Sequence, residues 1–123
     1  MPWLPAIGLG FLTVAVLNLN NMRDIDNDRK SGKITIPVRI GIINAKRYHA
    51  FLTFGALGCF VAYSILYTEH WYQYLYLLVF ILFIKLLTDI FKIKENRLLD
   101  PYLKYTSMCT FVLSVCFCIC INL

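Results

Sequence analysis

Charge is what this sequence has least of. Asp, Glu, Lys and Arg make up 15% of its 123 residues, against about a quarter in a soluble domain. A soluble fold of this size has no surface to build from such a composition. Cys-x-x-Cys pairs are absent as well. Cys59, Cys109, Cys116, Cys118 and Cys120 lie in apolar stretches, with no histidine near the last four. Convergent thiolate metal ligation is therefore excluded, and the five read as small apolar residues. The opening Met-Pro-Trp-Leu-Pro has no basic n-region and does not read as a secretory signal peptide. The net charge of +5 does not indicate nucleic acid. The basic residues flank apolar runs instead of lining a polar face, a pattern that reports membrane topology or an anionic ligand.

What the sequence does have is apolar length. Hydrophobic residues account for 59% of the chain, and they fall into four runs, at about residues 3–22, 48–67, 71–91 and 102–121. About 20 helical residues cross about 30 Å of hydrocarbon. In lipid every backbone polar group must be satisfied internally, by a helix or a closed barrel, and these runs are too long and too continuously apolar for barrel strands. The expected fold is all-α and integral to the membrane, with four transmembrane helices.

Topology follows from lysine and arginine. Arg23, Arg29, Lys30, Lys33, Arg39, Lys46 and Arg47 fall between the first two runs. Lys85, Lys92, Lys94, Arg97 and Lys104 fall at or between the ends of the last two. All 12 basic residues thus belong to one side, cytoplasmic by the positive-inside rule, and both termini of this chain face outward. Tyr63, Tyr67, Trp71, Tyr72 and Tyr74 gather at the outer turn as an interfacial aromatic belt.

The polar stretch from Asn18 to Arg47 is long for a helix connection, and long loops in compact domains are often functional. It contains Asn20-Asn21-Met22-Arg23-Asp24-Ile25-Asp26-Asn27-Asp28-Arg29-Lys30-Ser31-Gly32-Lys33-Ile34-Thr35. A first helix continued to Asp28 places Asn20, Asp24 and Asp28 on one face, with Asn21 at its edge. Asp26 points about 200° away from Asp24. Two carboxylates one turn apart repel, by roughly a few tenths of a kcal/mol on an exposed helix, and a cation removes that cost. Hard oxygen ligands select Mg²⁺ or Ca²⁺. Two aspartates are too few for a calcium cage but suit a magnesium ion shared with phosphates. Arg29, Lys30, Lys33 and Arg39 supply the opposite charge, and Gly32 lets the chain turn before Lys33. Carboxylates, metal and lysine together are what departure of a diphosphate requires.

Other readings of the stretch are weaker. A calcium loop needs glycine at its sixth position and glutamate at its twelfth; Arg29 and Thr35 stand there. A P-loop needs Ser or Thr after the lysine and an earlier glycine; Ile34 and Asn27 stand there. A solvated loop that only fixes topology is the remaining rival, and composition alone does not separate it from a binding site.

The pattern Asn20-Asn21-x-Arg23-Asp24-x-x-x-Asp28-x-x-x-Gly32-Lys33-x-Thr35, followed by Val38-Arg39-x-Gly41, resembles the second aspartate-rich motif of the UbiA superfamily of membrane prenyltransferases. It is most similar to the menaquinone branch, the 1,4-dihydroxy-2-naphthoate prenyltransferases. The resemblance implies a nine-helix bundle around a central cavity, with two aspartate-rich motifs facing each other at the cytoplasmic side of a bacterial membrane. It implies Mg²⁺ as cofactor, and as partners a polyprenyl diphosphate, an aromatic acceptor and the lipid bilayer. Ionisation would give an allylic cation that attacks the ring; the naphthoate loses CO2, giving demethylmenaquinone. Asp24 and Asp28 match the metal ligands. Asn20, Asn21, Arg23, Lys33 and Arg39 match the diphosphate site, and Lys33 is expected to touch the diphosphate. The first motif, of the Asn-Asp-x-x-x-Asp type, is absent from these residues. They correspond to a C-terminal part of such an enzyme, expected to be inactive without the missing N-terminal half. Transfer to another aromatic acceptor, or a non-enzymatic four-helix membrane subunit, are the alternatives.

Outside this stretch, Lys85 and Asp89 stand four apart in the third run and read as either a functional pair or a self-neutralising one. His49 is expected at the interface. Asp100, before Pro101, is expected to cap the fourth helix.

Overall fold

Among the described residues, six α-helices and two short 3-10 turns follow one another along the chain. They are α1 (Trp3–Arg23), α2 (Ile25–Ser31), α3 (Ile36–Ile40), α4 (Ile42–Tyr67), a 3-10 turn (Trp71–Tyr74), α5 (Leu77–Lys92), a second 3-10 turn (Asn96–Leu99) and α6 (Asp100–Ile121). The computed structural model describes residues 3–122, apart from the side chains of Asn96 and Arg97. Arg97, one of the basic residues used for topology, therefore lies outside the described side chains. The four long segments are α1, α4, Trp71–Lys92 and α6, and each is long and apolar enough to cross a membrane. The chain is an all-helical integral membrane protein.

Hydropathy marks where a helix enters lipid, not where it begins. α4 starts at Ile42, six residues before the apolar run, because residues 42–47 hold no glycine or proline to stop it. The third segment departs the other way. Its first turn is 3-10, closed by the Gln73 side chain, which accepts from the backbone N–H groups of Glu69 and His70 at 3.1 Å each. Asp100 is not the cap of α6. It is the first helical residue, and Leu99 in the capping position has helical dihedrals (φ −74°, ψ −13°). An N-cap side chain needs extended backbone to reach back to the first turn, and the preceding 3-10 turn denies it that.

The bundle has two apolar clusters at opposite ends. At one end Leu12, Ala56, Phe60, Tyr76, Val79, Phe80, Phe83, Leu113 and Phe117 pack together. Phe60 meets Phe117 at 4.9 Å between ring centroids and Tyr76 at 5.9 Å. The Tyr76 hydroxyl donates to the Phe60 carbonyl at 2.8 Å and also bonds the Ser64 hydroxyl, so this buried polar tip is satisfied. At the other end a smaller cluster joins Leu19, Met22, Ala45, Ile90 and Leu99.

α1 and α4 approach closely through a reciprocal exchange. A side chain at Gly8 of α1 would fall 2.9 Å from the ring of Phe60 on α4. One at Gly55 of α4 would fall 3.2 Å from the ring of Phe11 on α1. Small residues of this kind let membrane helices pack backbone to backbone. His49, expected at the interface, is buried among the helices, and its Nδ1 has no partner. Asn18 is buried too, donating from Nδ2 to the Ala45 carbonyl at 3.0 Å, which ties α1 to the start of α4.

Candidate functional site

The aspartate-rich segment leaves the smaller cluster directly. Leu19 and Met22 anchor the last turns of α1 in it, and the chain then breaks at Asp24, whose ψ of 10° takes it out of regular helix. α1 therefore does not run on to Asp28 as one helix. The hydrogen-bond ladder nonetheless crosses the break. Asp24 N–H donates to the Asn20 carbonyl at 3.2 Å, and Asp28 N–H to the Asp24 carbonyl at 2.8 Å. Asn20, Asp24 and Asp28 keep their one-turn spacing while the axis is reset between them.

Arg23 accounts for the geometry at the break. Its Nε donates to Asp24 Oδ1 at 3.0 Å and its Nη2 to Asp24 Oδ2 at 3.3 Å. Nη2 also donates to Asn20 Oδ1 at 2.7 Å, and Nη1 to Asp100 Oδ1 at 2.5 Å. A guanidinium is a planar fork of donors suited to this bridging. Arg23, expected as one of the diphosphate contacts, is thus occupied by the motif itself. It offsets the repulsion between neighbouring carboxylates that the spacing creates.

Asp28 is different. It is 7% exposed, and its Oδ2 is buried with no hydrogen-bond partner. A buried carboxylate oxygen without a donor is costly unless a cation meets it. Asp26, by contrast, is exposed. After Asp28 the chain turns at Gly32, whose φ of 79° lies in the left-handed region. Lys33 N–H donates to the Asp28 carbonyl at 2.9 Å, which fixes the start of the basic segment against the aspartate. Thr35 then caps α3, accepting from Val38 N–H at 3.4 Å. The Lys33 and Arg39 side chains are exposed, as are those of Arg29 and Lys30, and Asn21 is half-buried.

Two residues play parts that the sequence did not suggest. Asp100 meets Arg23 from 77 positions away; the only signal was an acid in the first turn of a helix starting at the same end of the bundle. Lys46, counted for topology, donates from Nζ to the Ile93 carbonyl at 2.6 Å and so closes the C-terminal end of α5. Lys85 and Asp89 do not neutralise each other. Among the described residues both ion pairs belong to Arg23. Lys85 and Asp89 instead line a groove of about 450 Å³ between α5 and α6 with Tyr102, Tyr105 and Met108.

Among the described residues no three His, Cys, Asp or Glu side chains converge as a complete metal site. Asp24 and Asp28 fit a shared magnesium site instead: both are hard oxygen donors, and Asp28 carries an orphaned buried oxygen.

Comparison with known proteins places the chain in a family. The UbiA prenyltransferase family matches residues 1–100. The 1,4-dihydroxy-2-naphthoate octaprenyltransferase of Escherichia coli (strain K12) is 39% identical over 103 residues, which are 84% of this chain and 33% of that protein. The protein of the same name from Haemophilus influenzae is 37% identical over 114 residues, 93% of this chain and 37% of its own length. A UbiA prenyltransferase domain-containing protein 1 homolog of Drosophila melanogaster is 36% identical over 63 residues, 51% of this chain and 18% of its own. The chain thus spans about a third of the two bacterial relatives. No solved structure matches significantly. With a family match over residues 1–100 and that identity to the bacterial relatives, the chain belongs to the UbiA prenyltransferase family.

Proposed function

We propose that the complete protein containing this chain transfers a polyprenyl group from polyprenyl diphosphate to 1,4-dihydroxy-2-naphthoate, with loss of CO2 and diphosphate. In this reading the chain supplies one of two facing aspartate-rich halves. The observation that carries it is the pairing of Asp24, charge-compensated by Arg23, with Asp28, whose buried Oδ2 has no donor. The names of the bacterial relatives support the naphthoate as acceptor.

Asp24 and Asp28 would hold Mg²⁺, which when bound supplies positive charge against the departing diphosphate. The chain's own residues do the rest. Lys33, pinned behind Asp28 by its backbone bond, meets phosphate oxygens that face away from the carboxylates. Exposed Arg39 and Arg29 extend that positive surface. Asn20 and Asn21 orient the head group through their amides. The polar end lies on the cytoplasmic side, where a lipid-tailed diphosphate presents its head while its chain stays in the bilayer. As the allylic carbon–oxygen bond breaks, its electron pair leaves with diphosphate. The ring then supplies the pair for the new carbon–carbon bond, and the carboxylate departs as CO2. No oxidant enters this sequence, so the immediate product is the hydroquinone, demethylmenaquinol; the quinone arises by later oxidation.

The direct test uses membranes carrying the complete protein. They should consume polyprenyl diphosphate and dihydroxynaphthoate only when Mg²⁺ is present. Asp24→Ala and Asp28→Ala should each lower turnover by roughly a hundredfold or more, with the protein still in the membrane. Full turnover in both variants would remove the two aspartates from the chemistry.

A further inference from the structure

The geometry points to Asp100 as a positioning residue for the aspartate-rich motif, acting through Arg23. The inference rests on the proposed role of Asp24 in holding a divalent cation. Arg23 is bonded on its own helix side only by near neighbours, Asn20 at 2.7 Å and Asp24 at 3.0 and 3.3 Å. Those bonds move with the segment and cannot fix it in space. The bond to Asp100 is the one that crosses to another membrane helix.

The base for that bond is rigid. Leu99, just before Asp100, is fully buried beside Leu19 and Met22 of α1. The start of α6 is therefore packed against the end of α1 by apolar contact, independently of any charge. Pro101 lies in the first turn of α6 and presets its backbone. Asp100 also sits where the helix dipole favours an acid. Its side chain remains 66% exposed, so it fills no core. Its one ion pair among the described residues is with Arg23.

Charge gives the direction of the effect. Asp24, Asp100 and Arg23 sum to −1 − 1 + 1 = −1. With Asp100, the cluster keeps a net negative field for a cation although Arg23 contacts Asp24. Without it, Arg23 neutralises Asp24 alone and is free to swing with it. Loss of Asp100 should therefore weaken cation binding both by position and by charge.

The test measures Mn²⁺ binding by electron paramagnetic resonance in the complete protein, purified in detergent, beside a thermal unfolding curve. Asp100→Asn should weaken Mn²⁺ binding by roughly tenfold, the low end of what outer partners of metal ligands contribute, with the unfolding midpoint unchanged. Asp100→Glu should restore most of the affinity. In an Arg23→Gln background, Asp100→Asn should add only the smaller loss that its own charge accounts for, well below its loss in the parent. Parent-like affinity in Asp100→Asn, or an equal loss in the Arg23→Gln background, overturns the positioning role. Asp24→Ala keeps the two failures apart. If Asp24→Ala binds Mn²⁺ like the parent, the cation site itself is wrong and this inference falls with it. If Asp24→Ala loses Mn²⁺ and Asp100→Asn does not, only the role of Asp100 is wrong.

Discussion

The two ends of the bundle are held by different forces. At one end Phe60, Tyr76, Phe80 and Phe117 interlock through two edge-to-face and two tilted ring pairs, with Leu12 and Leu113 in the same cluster. At the other end the apolar cluster is smaller, and three polar bridges supplement it: Asn18 to Ala45, Lys46 to Ile93, and Arg23 to Asp100. Aromatic packing is dense and loses heavily when a ring is removed. Polar bridges are directional, individually modest and replaceable by water or ligand. The end that carries Asp24 and Asp28 is thus built from contacts that water or a ligand can replace. The aromatic end is built to stay as it is.

The sharpest way to break this contrast is Phe60→Ala. It empties the centre of the ring cluster and should cost about 3–5 kcal/mol, read from unfolding in mixed detergent micelles. Lys46→Met comes next. It removes the bond to the Ile93 carbonyl but keeps the apolar stem, so the loss should be about 1 kcal/mol in the same titration. Equal losses for the two would mean that the ends are held alike. Asp26→Ala should have the smallest effect. Its exposed side chain makes no described contact, and both stability (within about 0.5 kcal/mol) and Mg²⁺-dependent turnover should match the parent. A hundredfold fall in turnover would place Asp26 beside Asp28 in the site.

Much of the fold was legible because lipid imposes one rule, that long apolar runs must be helices. The four spans followed from it. The segment ends were not legible, because propensity and capping act outside the lipid: α4 began early at Ile42, and Leu99 displaced Asp100 from the cap. In the site, helical spacing set Asp28 one turn beyond Asp24, which the backbone ladder keeps, and glycine's conformational freedom marked the turn at Gly32. It could not anticipate that Asp24 would interrupt the helix, nor that Arg23 would be occupied by Asn20, Asp24 and Asp100. Those depend on a meeting across 77 residues of chain, which local periodicity does not encode.

The Gly8–Phe60 and Gly55–Phe11 exchange has a consequence at the far end of α1. Each helix offers a notch to the other's ring, and the two notches point in opposite senses. Sliding α1 along α4 by one turn, about 5.4 Å, would set Phe60 against Leu4 or Leu12 in place of Gly8, and Phe11 against Phe51 or Cys59 in place of Gly55. The pair therefore works as a register pin between the two helices. Asp24 lies 16 residues beyond Gly8, about 24 Å along the axis at helical rise, and its height along α4 is set from there. A methyl group added at Gly8, which would fall 2.9 Å from the Phe60 ring, should shift the carboxylates relative to α4 without touching either of them.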